Sequence, residues 1–424
     1  MPSPIRAIRT LSSKLSAAKA RRVARRKPTG FNFAIADRVS FLNPDDWDHA
    51  AKAGGFFMRR SYLDALANHP PSNLRVRCAL VYDDGRPVAA VAAQIVEIDG
   101  ERLVRSQPDA KKGKAAGKKA LLKAGLAPLA RRAVSGLQER VLVCDNLLSW
   151  GNHGVSFATD ADPENVWPAV AEALYRIRRA EKLLGDAALL VIKDLRAGEM
   201  AGATPLKTYS YRAVETDPNM VLELDPSWRS YDDYLASLDG KYRKSVRQII
   251  DGANQAGVML ETTADLGAHG ERLHELYLEV HHAATVRPVT VSPRYLSAVA
   301  QAAGDGFRCT IAWQNGEIAG FVTSVKDGDT SIGYYIGYDR ALTATGVPLY
   351  LRLLHCTVAH AIDLGCTRLS LGRTALEPKA RLGAKPEPLH IWARHRVPAV
   401  NWLLRSVLGA VPHEEAPARN PFKN

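Results

Sequence analysis

The chain has 424 residues, of which 46% are hydrophobic, and a formal net charge of +13. Because this length exceeds what one hydrophobic core supports, two domains of ordinary size are expected. No apolar run approaches the ~20 residues of a membrane-spanning helix, and five cysteines without a CxxC pair argue against a disulfide framework or a zinc site. The cysteines are expected to be core residues of a cytoplasmic protein, and the histidines show no recognised metal spacing, so no metal is expected.

The positive charge is concentrated in two segments of the chain. Residues 1–30 contain nine Arg and Lys and no acidic residue, and residues 105–132 contain nine basic residues against Asp109 alone, which leaves the rest of the chain at −4. We interpret residues 1–30 as a flexible basic arm and residues 106–132 as a Lys-rich insertion. Contact with RNA or with an anionic membrane is one interpretation of both segments. A solvated tail and, for the arm, an organellar targeting peptide are the alternatives.

The insertion contains GKAAGKK, which superficially resembles a phosphate-binding loop. It is one residue too short between its glycines, and Lys119 stands where a Ser or Thr would reach magnesium. The sequence therefore predicts no nucleotide site there.

One order of elements occurs twice along the chain. In the first half a Tyr-Leu helix at Tyr62 precedes a strand from Cys78, and in the second half Tyr295 and Cys309 stand in the same order. In both halves the turn glycine follows seven residues after the cysteine. Two-residue hairpin turns are predicted at Asp84-Gly85 and Asn315-Gly316, since both central positions need a positive φ, and second turns at Asp99-Gly100 and Asp327-Gly328.

Each half then continues into a long helix and a strand. These are predicted at 163–184 and 187–193 in the first half, and at 347–364 and 367–372 in the second. The sequence thus predicts two copies of one α+β unit, at 31–225 and 226–396, followed by a C-terminal helix and tail at 397–424.

This order of elements resembles the GNAT acyltransferase fold, and its duplication resembles the Fem-type (FemABX) aminoacyltransferases and related two-lobed GNAT acyltransferases. Three stretches carry the resemblance: the basic helix LASLDGKYRKSVRQI at 235–249, YYIGYDRALTATGVPLYLRLL at 334–354, and LSLGRTALEPKARLGAKP at 369–386, which is similar to the group's Gly-x-x-x-Lys-x-x-x-Gly ending. The resemblance spans roughly residues 40–400. It implies tandem GNAT-like lobes, each a mixed, mainly antiparallel sheet flanked by helices.

The resemblance also implies where an acyl donor binds. In the GNAT fold two parallel strands splay apart, and the donor's pyrophosphate rests on N–H groups at the start of the helix between them. Here Pro348 suits the first turn, Thr345 can cap the helix, and Gly346 lets a phosphate approach the backbone. The alternative is an ordinary capped helix. The predicted donor-binding residues are Thr345, Gly346, Val347, Leu349, Tyr350, Lys379 and Arg381.

The matching helix of the first half is entered differently. It follows SWGNHGVS at 149–156, which lacks the Gly-Val-Pro of the second half. Donor binding is therefore predicted in the C-terminal lobe, and a scaffold or acceptor role in the N-terminal lobe.

Acyl transfer to an amine needs a base, donors for the oxyanion and a proton for the leaving group. The resemblance implies an oxyanion donor among the backbone N–H groups at 335–338. Strand alternation predicts that Tyr334, Ile336 and Tyr338 share one face and that Tyr335 lies on the other. Tyr334 and Tyr338 are candidate general acids, with packing roles as the alternative. Asp339 and Glu377 are candidate bases, and Asp339 could equally start a turn.

Three functions stay open. The leading prediction is an N-acyltransferase that moves an acyl group from acyl-CoA, or an acyl-carrier protein, to a small-molecule amine acceptor, with a role in cell-envelope or polysaccharide biosynthesis in the cytoplasm or at the membrane periphery. The alternative is a Fem-type transferase that uses aminoacyl-tRNA, which the basic segments favour. The third is a catalytically silent binding module, because a fold does not guarantee activity. The acceptor pocket is expected among the N-terminal lobe and the helices at 264–295.

Overall fold

The structure is a computed structural model that describes residues 23, 27–99, 138–284, 287–408 and 417–423. The predictions for the Lys-rich insertion, for the turn after Asp99 and for nearly all of the basic arm concern residues outside this part of the chain. The strands are β1 (Asn32–Ala36), β2 (Leu74–Asp83), β3 (Arg86–Asp99), β4 (Gln138–Cys144), β5 (Val155–Phe157), β6 (Ala187–Arg196), β7 (Arg212–Glu223), β8 (Met259–Thr263), β9 (Phe307–Gln314), β10 (Glu317–Asp327), β11 (Thr330–Tyr338), β12 (Arg368–Ser370) and β13 (Lys385–His395).

The α-helices of the described residues alternate with these strands. They are α1 (Pro44–Ala50), α2 (Arg60–Asn68), α3 (Pro163–Ala180), α4 (Ala197–Gly202), α5 (Tyr231–Ser237), α6 (Gly240–Gln255), α7 (Gly270–Ala283), α8 (Tyr295–Ala303), α9 (Arg340–Ala344), α10 (Leu349–Asp363), α11 (Leu376–Arg381) and α12 (Pro398–Leu408). The long helices and the strands that follow them lie where the sequence predicted them, with ends shifted by a few residues.

The described strands form one sheet whose order is symmetrical. It runs β1-β2-β3-β4-β6-β13-β7-β12-β11-β10-β9-β8, with β5 added to β3. The order is the same from either edge if each strand is matched with its repeat in the other half, for example β1 with β8, β4 with β11 and β6 with β12. The pairs β4–β6 and β11–β12 are parallel and the others are antiparallel. The prediction of two α+β units with mainly antiparallel strands is confirmed.

The last strand of each half completes the sheet of the other half. β13 pairs with β6 of the first half, and β7 pairs with β12 of the second half. β7 and β13 also pair with each other at the centre of the sheet. The division at 225/226 therefore separates the two repeats in sequence but not in the sheet, and the lobes share hydrogen bonds across their junction.

The hairpin turns confirm the clearest local prediction. Asp84 and Gly85 have φ values of 45° and 82°, and Asn315 and Gly316 have 52° and 81°. Between β10 and β11, Asp327 pairs with Thr330. The central residues of that turn are therefore 328 and 329, one position later than predicted.

The basic stretch at 235–249 does not form one helix, which corrects the prediction. α5 ends at Ser237 and α6 begins after Asp239, whose carboxylate accepts the Lys241 N–H at 3.0 Å. The Arg243 guanidinium donates to the Leu238 carbonyl at 2.7 Å and so satisfies the end of α5. An aspartate followed by glycine favours a new helix start over a continuous helix.

The two Tyr-Leu helices of the repeat meet in the core between the lobes. The hydroxyls of Tyr62 in α2 and Tyr295 in α8 lie 2.9 Å apart, and both side chains are fully buried. The Asn146 amide donates to the Tyr62 hydroxyl at 2.7 Å. All five cysteines are free and buried, as predicted.

Two buried histidines of α10 bear on stability in acid. The nitrogens of His360 lie 2.7 Å from the Thr310 hydroxyl and 2.9 Å from the Ser324 hydroxyl, and His355 Nδ1 lies 2.9 Å from the Tyr231 hydroxyl. Burial lowers the pKa of His355 to about 3 and that of His360 to about 4.

Both folded-state pKa values lie below the value of about 6.5 for an unfolded chain. Between about pH 6.5 and about pH 4 the unfolded chain binds protons that the folded chain excludes, so stability should fall as the pH falls through this window, by about 3 kcal/mol for His360 alone. Urea unfolding across this range measures the slope. We expect a shallower slope in His360→Asn and the wild-type slope in the exposed-site control His49→Gln. Identical slopes in His360→Asn and wild type would contradict the prediction.

Candidate active site

A gap opens between the parallel strands β11 and β12. They are paired only where residues 330–332 meet residues 368–370. β11 continues to Tyr338, whereas β12 ends at Ser370. In the first half, β4 stays paired with β6 up to its last residue, Cys144. β11 therefore runs on beyond its pairing with β12 in the C-terminal lobe, whereas β4, its counterpart in the N-terminal lobe, does not run beyond its pairing with β6.

Helix α10 begins beside this gap without a side-chain cap. Pro348 stands immediately before its first residue, Leu349, and supplies no capping hydrogen bond. The Thr345 hydroxyl donates to the Leu342 carbonyl at 2.7 Å. Thr345 therefore closes α9 and does not cap α10, which corrects the predicted cap. The Leu349 N–H donates to the Val347 carbonyl at 2.8 Å, and Arg352 makes the first helical hydrogen bond to Pro348. The N–H groups of Tyr350 and Leu351 in the first turn of α10 are therefore the ones available to an anionic ligand.

Gly346 forms an open turn in front of α10. Its φ is +97°, and a Cβ built there would meet no atom within 4 Å. Leu349 is fully buried, Val347 is half-buried, and the Tyr350 ring lies 5.8 Å from that of Tyr338. A phosphate could approach the backbone at Gly346 without meeting a side chain.

A β-bulge changes which side chains of β11 face the gap. Tyr334 and Tyr335 oppose Thr323 alone, and the Thr323 hydroxyl accepts the Tyr335 N–H at 2.9 Å. Both tyrosine rings consequently pack into the core between the lobes, whereas Ile336 and Tyr338 pack beside α10. The predicted sharing of one face by Tyr334, Ile336 and Tyr338 is wrong, because simple alternation ignores the bulge.

The bulge also separates the tyrosine candidates. The Tyr334 hydroxyl is bonded to that of Tyr295, and burial raises the pKa of Tyr334 well above its usual value. The position of Tyr334 in the core between the lobes, away from the gap, argues against it as the acid. Tyr338 is half-buried at the gap, where burial also raises its pKa. The Tyr335 N–H is engaged in the bulge and drops out of the predicted oxyanion donors at 335–338.

The two candidate bases are already engaged. Asp339 accepts the Leu342 N–H at 3.0 Å and starts α9, the turn role that the sequence left open. Glu377 accepts hydrogen bonds from Arg381 at 2.9 Å and from Arg419 at 3.0 Å. The Arg381 hydrogen bond lowers the pKa of Glu377. A carboxylate held ionised by two guanidinium groups is a poor proton acceptor, which argues against Glu377 as the base.

Lys379 and Arg381 have different surroundings. Both lie in the short helix α11. Lys379 shares the inward face of α11 with Leu376 and Ala380, and its burial lowers its pKa to about 7. Arg381 lines a groove of about 430 Å³ between α6, α10 and α11, which we call the donor groove. The donor groove is also lined by Lys241, Tyr242, Pro348 and Arg419.

Four charged side chains lie buried where the lobes meet. Lys193 and Asp194 form a bulge of β6 opposite Ile391, and Asp194 has a φ of +60°. Lys193 Nζ lies 2.6 Å from Asp194 and 3.3 Å from Asp145, and Arg373 of the C-terminal lobe also pairs with Asp194. Burial lowers the pKa of Lys193 to about 8 and raises that of Asp145. Two carboxylates and two cations thus link the bulge of β6 to the segments that follow β4 and β12.

The sequence prediction missed this charged cluster. The run AALLVI at 187–192 reads as a buried strand, and the Lys-Asp pair that follows it within the same strand is the signal. Charged residues that interrupt an apolar strand predict a bulge or a buried ion pair. Arg373 lies beside Lys193 and Asp194 because of the strand exchange, and the sequence around Arg373 does not indicate this position.

A cavity of about 670 Å³, which we call the inter-lobe cavity, lies between the lobes. Arg368 and Ser370 line it, while Leu369 between them packs on the side of α10. The inter-lobe cavity therefore lies on the face of the sheet opposite α10. Trp150 and Trp167 of the N-terminal lobe supply aromatic surface. Residues 264–295, which were expected to line an acceptor pocket, do not line this cavity, because α7 and α8 pack into the core.

The wall of the inter-lobe cavity carries a hydrogen-bonded histidine and unpartnered polar atoms. His153 Nδ1 lies 2.7 Å from the Ser149 hydroxyl, and Nε2 lies 3.1 Å from the carboxylate of Asp327, which belongs to the other lobe. Asn152 Oδ1 and Ser156 Oγ are buried without a hydrogen-bond partner. Such groups are costly when unsatisfied, so they favour a polar ligand in this cavity.

The described residues contain no group of three or more His, Cys, Asp or Glu side chains placed to hold a metal ion. None of the helices in that part of the chain has the length and apolar character needed to cross a membrane.

Part of the chain matches one protein-family model. Residues 240–380 match the model of the acetyltransferase (GNAT) domain family. Among solved structures, the chain is similar to the C-terminal domain of a putative lysylphosphatidylglycerol synthetase from Agrobacterium fabrum, with 10% identity, 87% of this chain and 99% of that chain covered, and a TM-score of 0.48. It is similar to a tandem GNAT protein from the clavulanic acid biosynthesis pathway, with 14% identity, 87% and 99% covered, and a TM-score of 0.46.

A third similar structure is FemX, with 12% identity, 82% of this chain and 96% of that chain covered, and a TM-score of 0.45. No curated protein sequence matches the chain. The assignment of the fold rests on the domain match together with the strand order and the splayed pair.

Proposed function

We propose that the chain is an N-acyltransferase whose donor is an acyl-CoA, and that residues 240–380, which match the acetyltransferase (GNAT) domain family, bind this donor. The observation that carries the proposal is the gap between β11 and β12, with the uncapped start of α10 at its mouth. The donor's pyrophosphate rests on the first-turn N–H groups of α10, and its pantetheine arm lies in the gap.

The donor groove accommodates the nucleotide part of the donor. Lys241, Arg381 and Arg419 give this groove positive charge beside Pro348, and Tyr242 offers an aromatic ring. A 3′-phosphate pairs with a guanidinium in a charge-assisted contact. Glu377 holds Arg381 and Arg419 in position, so its role is to orient the groove and not to move a proton.

The amine acceptor approaches from the opposite face of the sheet, through the inter-lobe cavity. This arrangement puts the acceptor beside the last paired residues of β11 and β12, next to the start of the gap. Asn152 and Ser156 are available to hydrogen-bond a polar acceptor there. In this proposal the N-terminal lobe supplies the acceptor site, and Tyr338 is the candidate that protonates the leaving thiolate.

The donor is tested with intact-mass and thermal-shift measurements against a panel of acyl-CoAs, dephospho-CoA and aminoacyl-tRNAs. We expect CoA thioesters to raise the melting temperature and the acyl group to appear on an amine. Binding of aminoacyl-tRNA with no response to any CoA thioester would replace the acyl-CoA reading by the Fem-type alternative. No response to any donor would favour a silent binding module.

Arg381→Gln should weaken acyl-CoA binding about tenfold, because a hydrogen bond to a charged group contributes about 1.5–3 kcal/mol and 1.4 kcal/mol is tenfold in affinity. Dephospho-CoA, which lacks the 3′-phosphate, should bind wild type and variant alike. Arg60→Gln, which removes another arginine paired at the surface with an aspartate, is the control. An equal loss for both ligands would place Arg381 away from the 3′-phosphate.

One observation favours aminoacyl-tRNA as the second candidate donor. Lys241 and Lys244 are exposed on α6 next to the donor groove, and two basic segments precede this lobe in sequence. Phosphate contacts of this kind make binding strongly salt-dependent. A steep fall of tRNA affinity with salt, with aminoacyl transfer to an amine, would support this candidate.

A further inference from the structure

A rigid turn at the start of β6 holds two leucines in solvent. The 3₁₀ turn Glu181–Leu184 follows α3. Its Glu181 carboxylate is buried, paired with Arg77 and, at 3.1 Å, with Arg140. Because this carboxylate anchors the turn, Leu183 and Leu184 face outward and are 98% and 59% exposed.

Helix α12 presents several apolar side chains to solvent in the same way, although Leu404 is buried. Asn401 points inward, where it accepts the His395 N–H at 2.8 Å and donates to the Ser210 carbonyl at 3.0 Å. The next two residues, Trp402 and Leu403, are 74% and 48% exposed. A helix that only packs on its own protein places the polar residue outside and the tryptophan inside. The reverse arrangement indicates a surface that is covered by something else.

The turn and the helix share one corner of the molecule. Arg396 joins them, since its N–H donates to the Ala188 carbonyl at 2.9 Å and its guanidinium pairs with Asp186. Asp186 lies two residues after Leu184, and the exposed Val397 follows Arg396 directly. We call this surface, made of Leu183, Leu184, Val397, Val400, Trp402 and Leu403, the leucine–tryptophan corner.

The charge around the leucine–tryptophan corner is positive. Its basic side chains are Arg178, Arg179, Lys182, Arg394 and Arg396. Of the nearby acids, Asp186 is paired with Arg396 and Glu181 is buried. Residues 105–132, whose net charge is +8, precede β4 in the sequence, and Arg140 of β4 donates to the Gly185 carbonyl next to Leu184.

We propose that the leucine–tryptophan corner docks the protein on an anionic lipid bilayer. Tryptophan and leucine side chains insert at the level of the headgroups, where an aromatic ring with an N–H is favoured, and the arginines contact lipid phosphates. The combination of outward leucines with an excess of cations over free carboxylates matches the two components of interfacial binding, an apolar face and electrostatic attraction. The docking is independent of acyl transfer, so the test does not require the donor to be known.

The test uses the full chain and flotation with two kinds of vesicle, phosphatidylcholine alone and an equimolar mixture with phosphatidylglycerol. We expect binding to the mixture, and a loss of about tenfold or more in the double variants Trp402→Ser/Leu403→Ser and Leu183→Ser/Leu184→Ser. Met259→Ser is the matched control, because Met259 is 66% exposed in β8 at the far edge of the sheet. Wild-type tryptophan fluorescence should shift to the blue on binding, and Trp402→Phe should keep the binding and lose most of the shift.

Each other outcome overturns the proposal in a recognisable way. Binding of the double variants equal to wild type would mean that the basic segments act alone and that the corner is not involved. No binding to the mixture by wild type would reject the bilayer as the occupant. If sedimentation velocity shows a wild-type dimer that Trp402→Ser/Leu403→Ser converts to a monomer, the corner is instead an interface between two copies of the chain.

Discussion

Asp194→Asn should lower the free energy of unfolding by about 3–5 kcal/mol, the loss that follows when one partner of a buried ion pair is removed. Asp194 is fully buried and pairs with both Lys193 and Arg373. Its replacement leaves the two buried cations, Lys193 and Arg373, with one carboxylate of the cluster, Asp145. Asparagine tolerates the φ of +60° at this position, so backbone strain does not account for the loss. Chemical denaturation followed by circular dichroism measures the effect.

Asp48→Asn is the matched control for the charge change. Asp48 pairs with Arg60 at 2.7 Å, but both side chains are largely in solvent, so the expected loss is below about 1 kcal/mol. A third variant, Asp194→Asn/Arg373→Met, removes a cation as well and should recover part of the stability. Equal losses for Asp194→Asn and Asp48→Asn, or no recovery in the double variant, would show that the cluster does not act as a charge-compensated unit.

The features that the sequence predicted well depend on residues close together in the chain. Asp84-Gly85 and Asn315-Gly316 form hairpin turns because each pair accepts two positive φ values wherever it occurs. The repeat was visible because each copy keeps its own order of elements. The open turn at Gly346, with its φ of +97°, was also a local feature of the Gly-Val-Pro segment, whereas the predicted Thr345 cap on α10 was wrong.

The features that the sequence did not predict depend on what meets across the sheet. The exchange of β7 and β13 joins residues far apart in sequence, and it brings Arg373 to Asp194. The bulge at Tyr334 forms because the hydroxyl of Thr323, on the neighbouring strand, replaces a ladder hydrogen bond. A lysine is expected at the surface because of its charge, and the burial of Lys379 depends on how α11 packs, which the sequence does not show. The inter-lobe cavity also depends on the strand exchange, because residues of both lobes line it.

The turn at Gly346 is a local feature, so a single substitution there is the most informative test of the proposed donor site. Gly346→Trp should reduce acyl-CoA affinity by about 100-fold or more, because the indole would fill the space through which a phosphate reaches the N–H groups of α10. Loss of two charge-assisted hydrogen bonds at about 1.5–3 kcal/mol each accounts for an effect of this size. Isothermal titration with acetyl-CoA and with longer acyl-CoAs measures the loss.

Two controls separate the blocked site from a strained backbone. Gly346→Ala carries the same conformational cost at a φ of +97° but leaves the space nearly open, so it should lose at most about tenfold in affinity. Gly304→Trp puts the same bulk at another open glycine of positive φ, after α8, and should bind the donor normally. If Gly346→Trp binds acyl-CoA as tightly as Gly304→Trp does, the phosphate does not rest on α10. The asymmetry between the two halves would then not mark the donor lobe.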